Sequence, residues 1–217
     1  MKKYLKDIAG VTLDLLFPPF CCGCKTTGTL LCERCFQHIE FLTSDVELPQ
    51  TSHLSLIRAV AEYEYPVRQL LFSLKYSHVR AVGTVIGRLM YHCSVIPECD
   101  VITSVPMHPK KQDARGYNQA EIIAASIATK AHIPYKTLLT KIKATTAQAS
   151  IHHRGERADN ALGVYAVIEE KKADIAGKRV LVIDDVCTTG ATLDECARVL
   201  KEAGAGSVSG FVCAHEG

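Results

Sequence analysis

The sequence predicts an α/β domain built on a parallel sheet, preceded by a small metal-binding ribbon. Past residue 51, strand-like and helix-like apolar spacings alternate. The run VLVID from Val180 is continuously apolar and ends in a turn. Two Cys-x-x-Cys knuckles crowd between Cys21 and Cys35. Alternating strands and helices bury both faces of a parallel sheet, and a strand covered on both faces is an unbroken apolar run.

The chain has 217 residues, 47% hydrophobic and 22% charged, which suits one ordinary domain with a small addition. That composition excludes a chain that is disordered, collagen-like or coiled-coil throughout. No run approaches the about eighteen apolar residues of a membrane helix. The amino terminus, MKKYLKDIAGVTLDLLFPP, begins basic, but Asp7 and Asp14 interrupt the apolar region of an export signal. The cytoplasm is the expected compartment, with any membrane association peripheral and through partners. In a reducing compartment the chain's 10 Cys read first as metal ligands or redox groups where they cluster. The formal charge is +2, and four thiolates on one zinc would bring it to about zero. Net charge therefore gives no case for nucleic acid or an anionic membrane.

Cys21-x-x-Cys24 and Cys32-x-x-Cys35 are separated by a short KTTGTLL turn. Zinc takes four soft ligands in a tetrahedron, and two matched knuckles supply them with no open position, so the expected site is structural. A redox thiol pair is the rival, favoured only within a βαβ unit. Lys25 and Arg34 offset the surplus negative charge, and Cys22 is a spare that can substitute for Cys21. Such a ribbon has almost no core, should unfold without metal, and is expected to keep a core separate from the following domain. VELPQTSH, Val46 to His53, reads as a linker, giving residues 1–50 to the ribbon segment and 51–217 to the α/β domain.

Pro66 opens a helix with Val67, Leu70, Leu71 and Leu74 on one face, and Val82, Ile86, Leu89 and Met90 line a second. DVITSVP from Asp100 is a short strand. Ala120, Ile123, Ala124, Ile127 and Ala131 form a helical stripe. PYKTLL and LGVYAVI are weaker strand candidates. After VLVID, Cys196, Val199, Leu200 and Ala203 give a helix closed by Gly204, and SVSGFVC is a last strand. In doubly wound sheets of this kind, ligands bind at the carboxyl ends of the strands.

VLVIDDVCTTGAT, Val180 to Thr192, carries the most chemistry. The buried strand ends in Asp184 and Asp185, and Thr188, Thr189, Gly190, Ala191 and Thr192 form a turn into a helix. Backbone N–H groups and hydroxyls at a helix amino end cradle phosphate. No Walker loop or G-x-G-x-x-G follows a strand. Two carboxylates before such a cradle suit a sugar phosphate, the acids accepting from ribose hydroxyls and the turn holding a 5′-phosphate. Adjacent strand residues point to opposite faces, so joint contact with one ribose requires the backbone to turn at the acids.

This stretch resembles the motif by which type I phosphoribosyltransferases bind 5-phosphoribosyl 1-diphosphate (PRPP). SVPMHPKKQDARGYNQAE, Ser104 to Glu121, is similar to the VPLHPxRxxxRGxNQAE segment of the ComF family, known from bacterial competence. LKY around Lys75 also matches, as does the spacing of Thr145, Gln148, Arg157 and Asn160 before Gly163 and Tyr165. Ile151 and Tyr165 stand where Leu and Phe are usual. In that family a zinc ribbon precedes a type I phosphoribosyltransferase-like sheet flanked by helices.

The resemblance implies a PRPP site using Mg²⁺, with Lys110, Lys111 and Arg115 on a pyrophosphate loop after the Val101–Val105 strand. It places the family's flexible loop at Lys141–Arg157, where Lys141, Lys143, His152 and His153 individually read as solvated. His108 has no second imidazole at metal spacing. The implied activity is transfer of phosphoribose with release of pyrophosphate, to an acceptor the sequence does not identify, within DNA uptake during natural transformation. Single-stranded DNA and a helicase-like ATPase are the implied partners. The alternative, of another class, is a non-catalytic PRPP sensor or an adaptor for single-stranded DNA or protein. Direct DNA binding has little residue support, since aromatics are 6% and only Tyr117 lies in a basic loop.

Overall fold

The computed structural model of the protein describes residues 18–48, 51–143 and 163–217. The acidic breaks at Asp7 and Asp14, and Thr145, Gln148, Ile151, His152, His153, Arg157 and Asn160, lie outside the described residues. The main sheet has four parallel strands: β1 (Ile57–Glu62), β2 (Val101–Ser104), β5 (Arg179–Cys187) and β6 (Ser207–His215), in the order β1-β6-β5-β2.

Alternation along the strands sends side chains to two cores. Leu181, Ile183, Phe211 and Cys213 meet α2 (Val67–Tyr76), α3 (Ala81–Cys93) and α5 (Gln119–Ala131) on one face. Val180, Val182, Val208 and Val212 meet α6 (Ala191–Glu202) on the other, with a two-stranded antiparallel sheet of β3 (Leu139–Lys141) and β4 (Tyr165–Val167). The expected parallel, doubly wound sheet is present. Of the weaker candidates, LGVYAVI contains β4, while PYKTLL ends where β3 begins and shares only Leu139 with it; β3 and β4 pair with each other instead of widening the main sheet. Before β3, Pro134 and Lys136 hydrogen-bond Ile102 on the outer side of β2.

Sequence reading missed β1. Its apolar residues are mostly small, and Arg58 and Glu62 break the run. Arg58 escapes burial by reaching sideways, donating from Nε to Asp45 Oδ1 at 2.6 Å and from a terminal nitrogen to the Val95 carbonyl at 2.9 Å.

The Cys-rich segment contains a single helical turn, α1 (Glu33–Phe36), and is not independent of the domain. Cys22 and Ile39 lie in the same apolar cluster as Val60, Leu70 and Leu71, with Leu30, Leu31, Phe36 and Phe41 against it. The expectation of two separate cores is therefore corrected: too small to enclose a core, the ribbon shares that of α2. Val46–His53 is likewise held at both ends rather than spanning freely. Leu42 and Val46 donate backbone bonds to Val60 and Ile57 along the edge of β1, and Ser52 and His53 bond α6.

Candidate functional site

β5 carries the acids to the carboxyl edge of the sheet. It stays in register with β6 past them, through Asp184↔Val212 to Cys187↔His215. The expected turn at the acids is absent; the chain turns at Thr188–Gly190. The two carboxylates consequently act on opposite faces. Asp184's charge acts on Cys196, Tyr165 and Lys141, while Asp185 pairs with Lys75 of α2 at 3.0 Å. Burial, then the charge of Asp185, pushes Asp184 up to about 7. Burial lowers the basicity of Lys75, but Asp185, with smaller help from Asp184 and Tyr63, more than offsets this and the lysine's pKa is raised.

The turn meets α6 at Gly190, in the left-handed region with φ 76° and ψ −6°. A Cβ there would stand 2.7 Å from Thr51 and 2.8 Å from Leu48, so the segment before β1 packs directly onto the turn. Asp194 fastens that segment: its Oδ1 accepts from Ser52 N at 2.9 Å and His53 N at 2.7 Å, and its Oδ2 lies 2.9 Å from His53 Nδ1. Next along α6, buried Glu195 accepts from Gly163 N at 2.7 Å and holds Arg198 with both oxygens. Thr188, Thr189, Ala191 and Thr192 are partly exposed beside the acids.

The segment after β2 forms a short helix, α4 (Pro109–Arg115), instead of the loop the resemblance implies. Pro109 fits its first turn, and His108 caps it by accepting from Lys110 N, a structural job for this imidazole. Lys110 and Lys111 are exposed, and the Arg115 guanidinium lies 5.8 Å from the Tyr76 ring centre. Lys141, read as solvated, is half-buried 5.2 Å from the Tyr165 ring centre; burial and then Lys111's charge lower its pKa. Lys75, Lys141, Asp194 and Glu195 are thus site neighbours that sequence reading did not assign. Only Lys75 carried a signal, through the LKY match.

At the other end of α2, the sulfurs of Cys21, Cys24, Cys32 and Cys35 all lie within 4.8 Å of one another, and Cys24 and Cys32 are 3.5 Å apart. Four thiolates around zinc stand about 3.8 Å apart, so this cluster can hold a metal of that kind. Hydrogen bonds from Thr26, then Arg34, pull the Cys24 thiol down to about 5, favouring the thiolate that a metal needs. Cys22 points away into the shared core, where burial raises its pKa. Among the described residues no helix is long and apolar enough to cross a membrane.

A phosphoribosyl transferase domain matches residues 112–216, including both acids and the turn. Competence protein F of Haemophilus influenzae is 24% identical over 198 residues, covering 85% of this chain and 85% of that protein. DNA utilization protein YhgH of Escherichia coli is 25% identical over 222 residues, covering 89% of this chain and 96% of that protein. Competence protein ComFC of Bacillus subtilis is 32% identical over 112 residues, 51% of this chain and 42% of that protein. The chain is thus similar to a phosphoribosyl transferase domain over residues 112–216, β5 and β6 among them, and over most of its length to proteins named for competence and DNA utilization.

Proposed function

We propose that the protein binds PRPP at the carboxyl edge of β5 and acts as a phosphoribosyltransferase in DNA uptake. The observation that carries this is the continuity of Asp184 and Asp185 with the Thr188–Thr192 turn at the start of α6. The turn receives the 5′-phosphate, the acids reach the ribose hydroxyls around the carboxyl edge of β5, one from each face and without the turn that the sequence reading required, and Lys110, Lys111 and Arg115 face the pyrophosphate. Mg²⁺ bound with the substrate would neutralise part of the leaving group's charge. The bond from C1 to pyrophosphate breaks as an acceptor nucleophile bonds C1, so catalysis rests on positioning and charge neutralisation. The names of the relatives support the setting in competence. The four-cysteine cluster is assigned to structural zinc, since every position is filled by protein.

Mg-PRPP offered with candidate bases tests the reading. Pyrophosphate release supports the transferase, and binding without turnover supports the sensor.

The exposed face of α2 favours the single-stranded DNA adaptor as a second reading. Phe72 and Tyr76 are 58% and 61% exposed, their ring centres are 4.9 Å apart, and Arg115 lies against Tyr76. Exposed Arg68 is one turn before Phe72. Aromatic faces with interleaved cations stack unpaired bases. Tyr117, the residue that the sequence offered for this role, is buried and donates to the Leu74 carbonyl. Fluorescence anisotropy with an oligothymidylate tests this second reading: Phe72→Ala with Tyr76→Ala should weaken binding, and unchanged affinity rejects the face.

A further inference from the structure

The residues that open α2 touch the cysteine cluster. Tyr65 Oη lies 3.2 Å from Cys35 Sγ, and Cys35 is almost fully buried. Gly23, inside the first knuckle, leaves no room between the two parts. A Cβ on it would stand 2.8 Å from Cys35 Sγ, 3.1 Å from Tyr65 Oη and 3.3 Å from Pro66 Cβ. The knuckle is therefore pressed onto the start of α2 with a phenol seated against one sulfur. The other hydrogen bonds to the cluster come from within the ribbon: Thr26 Oγ1 lies 3.1 Å from Cys24 Sγ, and Cys32 N donates to Cys21 Sγ at 3.4 Å.

A cysteine that ligates a metal has lost its proton, so between Tyr65 and Cys35 only the phenol can donate. We propose that Tyr65 is a positioning residue of the metal centre, its hydroxyl donating to the ligating Cys35 sulfur from the neighbouring domain. Four thiolates on one divalent ion leave a surplus of negative charge, and this hydrogen bond draws some of it off while fixing the ligand's direction. The same contact fastens the ribbon to α2. The inference rests on the zinc assignment above, and the test separates the two.

Full-length Tyr65→Phe keeps the ring and removes only the hydroxyl; Tyr65→Leu removes the ring as well. Zinc affinity is measured by competition with a chromogenic chelator, and the Co²⁺-substituted proteins are compared by their sulfur-to-cobalt charge-transfer band. Tyr65→Phe should bind zinc about 10-fold more weakly. Its band should move to lower energy, because a thiolate without its hydrogen bond gives up an electron more readily. Wild-type affinity and an unmoved band in Tyr65→Phe would overturn the role, and weakening confined to Tyr65→Leu would assign the contact to packing instead. A wild-type protein that takes up no metal would fail the zinc assignment itself.

Discussion

Lys75 Nζ stands 3.0 Å from Asp185 Oδ2, joining the last turn of α2 to the end of β5. Both side chains are largely covered, at 23% and 13% exposure, so solvent screens the pair only weakly. Asp184 acts on the opposite face and is pushed up to about 7 by burial and then by its neighbour's charge. The acid pair is thus asymmetric: one carboxylate has a resident cation, and the other changes charge near neutrality.

Removing that cation should be costly. Lys75→Met leaves the largely covered Asp185 without a partner, and about 2 kcal/mol of stability should be lost. Adding Asp185→Asn should recover most of it, because the stranded charge is gone. Urea unfolding of the four proteins in the cycle measures this; additive losses would show that the two residues do not interact.

The raised pKa of Asp184 predicts a pH dependence with a definite sign. Its folded value of about 7 exceeds the unfolded value of about 3.9. The native state therefore holds the extra proton between these values, and stability falls as pH rises through that window. Asp184→Asn should flatten this slope and melt above wild type at pH 8, by about 2–4 °C for each kcal/mol regained. Melting curves from pH 4.5 to 8 that superimpose for both proteins would refute it.

For ligand binding, each charge-assisted hydrogen bond is worth about 1.5–3 kcal/mol. Asp184→Asn or Asp185→Asn should then weaken Mg-PRPP binding by about 10- to 150-fold. Calorimetry measures the effect, with melting curves to separate the stranding of Lys75 from loss of contact. Unchanged affinity in both variants would take the acids out of the site.

Gly190→Ala should disturb the turn twice over. The left-handed backbone at φ 76° costs a residue with a Cβ about 1–3 kcal/mol, and the new methyl meets Thr51 and Leu48. Loss of PRPP affinity together with a lowered denaturation midpoint is expected. A variant as stable as wild type would mean that the segment before β1 yields easily.

The shared core sets what metal removal does. Cys24→Ser should abolish the one tightly bound zinc expected per chain, as elemental analysis reads. Because Cys22 and Ile39 pack with Leu70 and Leu71, the variant's main melting transition should also fall. A main transition at the wild-type temperature would show that the ribbon and α2 unfold independently.

Local signals made several elements legible. The apolar run of β5, the stripe of α5, the paired knuckles and the acid-turn stretch each lie within a short segment, where periodicity and residue chemistry act directly. β1 was not legible, because Ala59 and Ala61 are weak apolar signals and Arg58 conceals a buried backbone. The helix Pro109–Arg115 was hidden for a related reason: it buries none of its side chains, so it leaves no apolar stripe.

What the sequence determined by itself was three of the four strands of the main sheet, its carboxyl-edge acids and the four sulfurs, all written into continuous stretches. Tertiary structure alone decided the company those groups keep. Lys75 reaches Asp185 across 110 positions, and Tyr65 reaches Cys35 across 30. Glu195 reaches Gly163, and Asp194 reaches Ser52 and His53. No local rule encodes such pairs, because each depends on where separate elements pack against a common sheet. The direction of the acids was settled in the same way: β6 holds β5 in register as far as Cys187, so the backbone satisfies its hydrogen bonds as a strand before it turns, and the two carboxylates remain on opposite faces.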